Sequence, residues 1–172
     1  MNNIILIGFM GTGKTAISNL LSKELGREII DTDKLITSKA GKPIADIFAD
    51  DGEPHFRMLE SSVLESLLEV QDKIIATGGG IILNENNRNL LKQLGKVVLL
   101  EARPQVIIDR LKGDTARPLL QGSNEEKLSK IGELLNIRQS LYEGTADLII
   151  DTSNLSQKRV VEEITGSISE TN

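Results

Sequence analysis

Short apolar runs alternate along the chain with longer segments in which apolar residues recur at helical spacing. Each run is rich in Ile, Val and Leu and is bounded by Gly, Asp or Lys, which is typical of buried strands. The runs are NIILIG, EIIDTD, DKIIAT, KVVLLE and DLIID. Strands that are apolar on both faces, with helices between them, predict a parallel sheet covered on both sides. The chain is therefore expected to have an α/β fold.

Apolar residues recur at i, i+3 and i+4 in the segments between the runs, which predicts amphipathic helices. These segments are KTAISNLLSKELG, HFRMLESSVLESLLEV, NENNRNLLKQLG, PQVIIDRLK, EEKLSKIGELLNIRQSLYE and, after the last run, QKRVVEEITGSIS. Gly26 and Gly95 end two of them, and glycine is the common residue just beyond a helix C-terminus. Because no linker or repeat interrupts the pattern, residues 1–172 are expected to form one domain.

Composition narrows the possible partners and the compartment. The formal net charge is −5, so neither nucleic acid nor an anionic membrane is expected as a partner. The chain has no Cys, which suits a reducing compartment, and its first apolar run is too short to span a bilayer. With no apolar stripe left over for an interface, we expect a cytoplasmic monomer.

The segment GFMGTGKT, residues 8–15, fits the phosphate-binding pattern G-x-x-x-x-G-K-[ST] through Gly8, Gly13, Lys14 and Thr15, with Gly11 as an additional glycine. Glycines let successive backbone N–H groups turn towards phosphate oxygens, and the following helix directs its positive end at them. The alternative is a glycine-rich turn that binds nothing. The position between a predicted strand and a predicted helix favours a nucleoside triphosphate with Mg²⁺.

Two carboxylates follow the second predicted strand, in the segment DTD. With a period of two, Asp31 and Asp33 face the same way at the carboxyl end of that strand, where ligands bind in open α/β sheets. One could order the magnesium shell, and the other could bind a substrate hydroxyl and accept its proton. The alternative interpretation is that they cap the helix beginning in KLITSKAG.

Other segments indicate what kind of nucleotide-binding protein this is. The Asn/Thr-Lys-x-Asp guanine motif of GTPase switches is absent, and the strand KIIAT is followed by three glycines, residues 78–80, instead of the acidic residue of motor ATPases. Arg57, Arg117 and Arg138 provide groups that bind carboxylate or phosphate bidentately. Arg117 lies in GDTARPLLQGSN, a segment with the composition of a mobile loop.

Taken together, several blocks resemble the shikimate kinase family nearly from end to end. They are GFMGTGKT, DTD, GKPIADIFADDGEPHFRMLE, TGGG, the RP of the predicted loop and RQSLYE. The resemblance implies ATP-dependent phosphorylation of the 3-hydroxyl of shikimate, a step towards aromatic amino acids. It also implies a three-layer α/β/α P-loop kinase fold with a five-stranded parallel sheet of order 2-3-1-4-5. A substrate-binding segment would lie at about 33–60, and a mobile lid at about 112–124.

The resemblance also implies the site residues. ATP would be held by Gly11, Thr12, Gly13, Lys14, Thr15, Ala16, Arg110 and Arg117. Shikimate would be held by Asp33, Arg57, Gly79, Gly80 and Arg138. Mg²⁺ would be held by Thr15 directly and by Asp31 through water.

Individual roles follow from the same resemblance. Lys14 and Arg117 would stabilise charge on the transferring phosphoryl group, and Asp33 would hold the reacting hydroxyl and act as its base. Arg57, oriented by Glu60, and Arg138 would grip the shikimate carboxylate. Arg110 would stack on adenine, with residues 153–157 on the other side of the base.

Two other functions remain open on the residues alone. Another small P-loop kinase, acting on gluconate or a nucleoside monophosphate, would satisfy the same phosphate-binding pattern. A non-catalytic nucleotide-binding module would also contain the loop, but it would have no use for Asp33 or a lid arginine.

Overall fold

The computed structural model describes residues 2–112 and 122–169. Its strands are β1 (Asn3–Ile7), β2 (Ile29–Asp31), β3 (Ile74–Ala76), β4 (Gly95–Glu101) and β5 (Leu148–Asp151). Its α-helices are α1 (Lys14–Leu25), α2 (Thr32–Ala40), α3 (Ile44–Asp50), α4 (Gly52–Ser66), α5 (Glu85–Leu94), α6 (Pro104–Arg110), α7 (Asn124–Thr145) and α8 (Gln157–Ser169). A 3₁₀ turn spans Ile81–Leu83.

The strands form one five-stranded sheet of order β2-β3-β1-β4-β5, with every neighbouring pair parallel. This confirms the order that the resemblance implied. In the register of the central strand β1, Ile5 lies between Ile75 of β3 and Val97 of β4. Because the strands are parallel, the carboxyl ends of β2, β3 and β1 meet at one edge of the sheet, where ligands bind in this architecture.

Alternate residues of β1 belong to two separate cores, which produces the three layers. Ile5 and Ile7 pack in a core that draws on α4 and α5, whereas Ile4 and Leu6 pack in a core that draws on α1 and α8. This period of two explains why β1 is apolar at every position from Ile4 to Ile7.

Local sequence signals explain several boundaries. Gly26 and Gly95 are the C-caps of α1 and α5, as predicted, and Gly26 has φ 64°. Gly95 also begins β4, where a Cβ would lie 2.3 Å from the Asn3 carbonyl oxygen, so the close approach of β1 requires glycine. Helix α3 was not predicted, and α4 begins at Gly52, earlier than the apolar spacing indicated.

The predicted lid falls mostly on residues 113–121, which lie outside the described residues. Helix α7 begins at Asn124, at the C-terminal end of the predicted lid. Its start is defined by a reciprocal capping box between Ser123 and Glu126. Among residues 2–112 and 122–169, no helix is long and apolar enough to cross a membrane.

Candidate active site

The phosphate-binding loop connects β1 to α1 and depends on glycine at several positions. Gly8, Gly11 and Gly13 have φ values of 142°, 74° and 104°, which other residues rarely adopt. At Gly8 a Cβ would lie 2.1 Å from the Leu100 carbonyl oxygen. Gly13 is the N-cap of α1 and offers no side chain to cover its first N–H groups. The first turn of α1 is thus open to anionic oxygens, as the sequence predicted.

The side chains of this loop hold it in shape. Lys14 Nζ donates to the carbonyl oxygens of Gly8 and Phe9 at 2.7 and 2.9 Å, so the ammonium group lies across the loop. The Thr12 hydroxyl donates to the same Phe9 oxygen at 2.8 Å. The lysine charge is therefore already at the loop that would cradle phosphate.

A cavity of about 470 Å³ lies over this loop at the carboxyl edge of the sheet. The predicted ATP-binding residues that line it are Gly11, Thr12, Gly13, Lys14, Thr15, Ala16 and Arg110. The other predicted site residues that line it are Asp31, Asp33 and Gly79. Leu155 and Gln157, from the segment expected beside adenine, also contribute to its wall. Gly80, Arg57 and Arg138 do not line this cavity, and Arg117 lies outside the described residues.

The expectation that Asp31 and Asp33 share one strand is wrong. Strand β2 ends at Asp31, whose side chain caps α2 by accepting from the N–H groups of Asp33 and Lys34 at 3.0 and 3.2 Å. Asp33 lies in the first turn of that helix. The capping interpretation therefore holds for Asp31, yet the turn still brings both carboxylates into the cavity.

The three glycines at 78–80 leave room for two functional side chains. A Cβ on Gly78 would lie 2.6 Å from Asp33 Oδ1, and a Cβ on Gly80 would lie 2.5 and 2.8 Å from the two terminal nitrogens of Arg57. Both side chains thus rest directly on the backbone of this segment. The absence of a Cβ at these positions is therefore what allows Asp33 and Arg57 to approach.

We expect Gly80→Ala to raise the KM for the anionic acceptor substrate because the new methyl group would displace the Arg57 guanidinium. Because the same guanidinium is paired with the buried carboxylate of Glu60, its displacement should also lower the melting temperature. Gly166→Ala in α8 is the matched control, because a Cβ there meets nothing within 4 Å. An unchanged KM in Gly80→Ala, measured by steady-state kinetics, would contradict this role of the glycine.

Arg57 is held by two carboxylates of α4. Its Nη1 donates to Glu60 at 2.8 Å and its Nη2 to Glu53 at 2.9 Å. Glu60 is 1% exposed, and burial raises the pKa of its carboxyl above the usual value while Arg57 acts in the opposite direction. Burial tends to lower the pKa of Arg57, but the hydrogen bonds to Glu60 and Glu53 outweigh it and raise that pKa. The contact expected between Glu60 and Arg57 is thus present, and the guanidinium stays charged.

Arg138 projects from α7 over the loop. Its Cζ lies 5.8 Å from the centroid of the Phe9 ring, within cation–π range. One turn later, the hydroxyl of Tyr142 donates to the Gly79 carbonyl oxygen. The charges of Arg138 and Arg57 both act on the Tyr142 phenol, so both guanidinium groups lie close to this ring.

Arg110 connects two parts of the cavity wall. It donates to the Gly11 carbonyl oxygen at 3.3 Å, to the Thr152 hydroxyl at 2.9 Å and to the Thr152 carbonyl oxygen at 2.7 Å. The Thr152 hydroxyl in turn lies within donating distance of the Glu101 and Thr12 oxygens, at 2.9 and 3.1 Å. These bonds hold the guanidinium between the phosphate-binding loop and the segment that follows β5.

Sequence reasoning did not assign roles to Glu53, Phe9, Tyr142 and Thr152. Glu53 lies four residues before Arg57 on a helix, and this spacing is a sequence signal that could have indicated their ion pair. The other three act through contacts that are distant in sequence, so the chain carries no local sign of them.

A loop that binds phosphate, sharing its cavity with a carboxylate able to take a proton from a hydroxyl, is the arrangement of a phosphotransferase. The fold and the site together therefore define a small P-loop kinase. The shikimate kinase family model matches residues 10–169, and the chain belongs to this family. It is therefore an ATP-dependent kinase.

Individual shikimate kinases are similar to this chain over nearly its whole length. A shikimate kinase of Bacillus cereus (strain AH187) is 46% identical over 99% of this chain and 100% of its own length. A shikimate kinase of Thermodesulfovibrio yellowstonii is 44% identical over 95% of this chain and 93% of its own. The structure of shikimate kinase from Acinetobacter baumannii in complex with shikimate has a TM-score of 0.90, with 38% identity over 100% of this chain and 95% of that one.

Proposed function

We propose that this kinase transfers the γ-phosphoryl group of ATP to the 3-hydroxyl of shikimate, with Asp33 as the base. The observation that carries the proposal is the position of Asp33. It lies in the same cavity as Lys14 and against Gly78, two residues from the backbone on which Arg57 rests. A hydroxyl bound by Asp33 would lie between the phosphate-binding loop and a charged arginine, as an anionic acceptor requires.

Arg57 and Arg138 would bind the carboxylate of shikimate. Arg57 is kept charged and fixed in place by Glu60, and it packs over Gly80. Arg138 approaches the same glycine segment from α7 through Phe9 and Tyr142. Two guanidinium groups near one glycine segment favour an anionic substrate over a neutral one.

Thr15 and Asp31 fit a magnesium ion bound together with nucleotide. Within residues 2–112 and 122–169, no cluster of three or more His, Cys, Asp and Glu side chains could hold a metal alone. Mg²⁺ commonly needs only one or two protein oxygens because phosphates and water complete its shell. Thr15 and Asp31, both at the cavity, provide such oxygens. When bound, the ion would neutralise charge on the β- and γ-phosphates.

The roles proposed for the other residues that would contact ATP rest on their positions and on membership of the family. Lys14 would stabilise charge on the phosphoryl group from its place across the loop. Arg110 would stack on adenine, and Arg117 in the lid would complete the charge neutralisation. A monomer in the cytoplasm, without nucleic acid or membrane partners, remains the expected state.

The experiment that tests this function measures ADP release from the purified protein with Mg-ATP, by a coupled assay. Turnover should depend strongly on shikimate, and gluconate and AMP should be inert. ATP binding without turnover on shikimate would overturn the substrate while leaving the phosphate site intact. Turnover on gluconate or AMP would identify a different small kinase.

We expect Arg57→Ala and Arg138→Ala mainly to raise the KM for shikimate. Each loses a charge-assisted interaction of about 1.5–3 kcal/mol, which corresponds to an increase of about 10- to 150-fold. The KM for ATP should change little. Arg159→Ala on α8 is the control, because Arg159 is an exposed arginine whose guanidinium pairs with Glu162 and Glu163 of its own helix. A normal shikimate KM in Arg57→Ala would remove that residue from the substrate site.

A further inference from the structure

Tyr142 is a buried aromatic residue whose hydroxyl donates a hydrogen bond to one particular backbone carbonyl. The side chain is 2% exposed and belongs to the core that lies between the sheet and helices α4 and α5. Its hydroxyl donates to the carbonyl oxygen of Gly79, 63 positions earlier in the sequence. A buried phenol normally finds a hydrogen-bond partner, but any nearby carbonyl would serve that need. The partner here is one of the residues proposed to contact the substrate.

Because a peptide group is planar, the bond to the Gly79 oxygen also orients the N–H of Gly80. The Gly79 carbonyl and the Gly80 N–H belong to one planar trans peptide, so they point in opposite directions. Fixing the oxygen towards Tyr142 therefore fixes the Gly80 N–H away from α7. The Arg57 guanidinium rests on the same residue, because a Cβ on Gly80 would lie 2.5 Å from its Nη1. A hydrogen bond from the Ile81 N–H to the Gly78 oxygen at 3.4 Å already closes a turn around this peptide. Turns of types I and II differ by a flip of the central peptide and glycine permits both, so the bond from Tyr142 selects one orientation of the plane.

Tyr142 also links this peptide to the second arginine. It follows Arg138 by one helical turn on α7, and both arginines influence the phenol. Burial raises the pKa of Tyr142 to about 12, with the charge of Arg138 acting in the opposite direction. The hydroxyl therefore keeps its proton at neutral pH and remains a donor to Gly79.

We propose that Tyr142 is a positioning residue for the acceptor substrate: its hydroxyl fixes the Gly79–Gly80 peptide and ties it to the turn of α7 that carries Arg138. The two sides of the acceptor site then keep a constant separation, and the Gly80 N–H is presented in one orientation. This inference rests on the proposed function, since it concerns how the same substrate is held.

The test is Tyr142→Phe, which keeps the ring and removes only the hydroxyl. We expect the KM for shikimate to rise about threefold to tenfold, the range for losing one hydrogen bond in a binding site. The KM for ATP should stay unchanged. The matched control is Thr145→Val, because Thr145 is also buried on α7 and its hydroxyl donates at 2.7 Å to Leu141 of its own helix. The control should lose melting temperature without any change in either KM.

A second measurement separates this inference from the proposed function. In the ligand-free protein, the Gly80 amide resonance in a ¹⁵N-correlated NMR spectrum should shift in Tyr142→Phe and stay in place in Thr145→Val. In the wild type, shikimate should shift the same resonance. If the wild type turns over shikimate but Tyr142→Phe loses only melting temperature, with the shikimate KM and the Gly80 amide unchanged, Tyr142 is a core residue and the inference is wrong. If the wild type does not turn over shikimate, the proposed function fails, and the ligand-free Gly80 shift still decides whether Tyr142 fixes the peptide.

Discussion

Replacing Lys14 with alanine is expected to lower kcat by about 10²- to 10³-fold, the range for removing one preorganised donor to transition-state charge. The ammonium group is placed across the loop by its bonds to the Gly8 and Phe9 oxygens, so its charge is already beside the site where phosphate would bind. The KM for shikimate should change far less than kcat. Steady-state kinetics with Mg-ATP and shikimate measure both quantities.

Lys23→Ala provides the control for Lys14, because Lys23 is an exposed lysine in the last turn of the same helix. It removes a charge from α1 without touching the cavity and should leave kcat unchanged. Thermal denaturation of both variants shows whether loss of the two loop bonds has unfolded the Lys14 variant. A folded Lys14→Ala enzyme with a kcat near that of the wild type would refute the role of the lysine.

Asp33→Asn is expected to lower kcat by about 10²- to 10⁴-fold, the usual contribution of a positioned base. The amide keeps the size of the side chain, so it should still fit beside Gly78, where the space is set by the absence of a Cβ. It cannot accept the proton of the reacting hydroxyl. ATP binding, measured by calorimetry, should be preserved because the phosphate-binding loop is unchanged.

Asp46→Asn makes the same chemical change on the exposed first turn of α3, outside the cavity, and should leave kcat unchanged. The pH–rate profile adds a second readout. The acidic limb of the wild-type profile should disappear in Asp33→Asn if Asp33 is the base. A retained limb together with a modest fall in kcat would assign to Asp33 only the binding of the hydroxyl.

Much of the fold and the core of the site could be predicted from the chain because their signals are local. The loop between β1 and α1 contains its own glycines, lysine and threonine within eight consecutive positions. The strands were recognisable from their apolar runs, which are buried on both faces in β1 and β3, and the sheet order followed from the family resemblance. Asp31 and Asp33 both line the cavity, but not for the reason expected: a helix start, not a continuing strand, orients the second carboxylate.

The less predictable features depend on contacts between distant parts of the chain. Gly95 showed only that a helix ends nearby, whereas the approach of Asn3 on β1 explains why glycine is needed there. Helix α3 is short, and its seven residues contain little of the periodic pattern that identifies longer helices.

The sequence by itself determined the phosphate-binding site, because such a loop needs only a contiguous segment between a strand and a helix. Tertiary structure alone decided how the proposed acceptor side is assembled. Asp33 and Arg57 reach Gly78 and Gly80 from other elements, and Tyr142 reaches Gly79 across 63 positions. A glycine segment has no side chains to indicate its partners, so its neighbours become known only when the sheet brings them together.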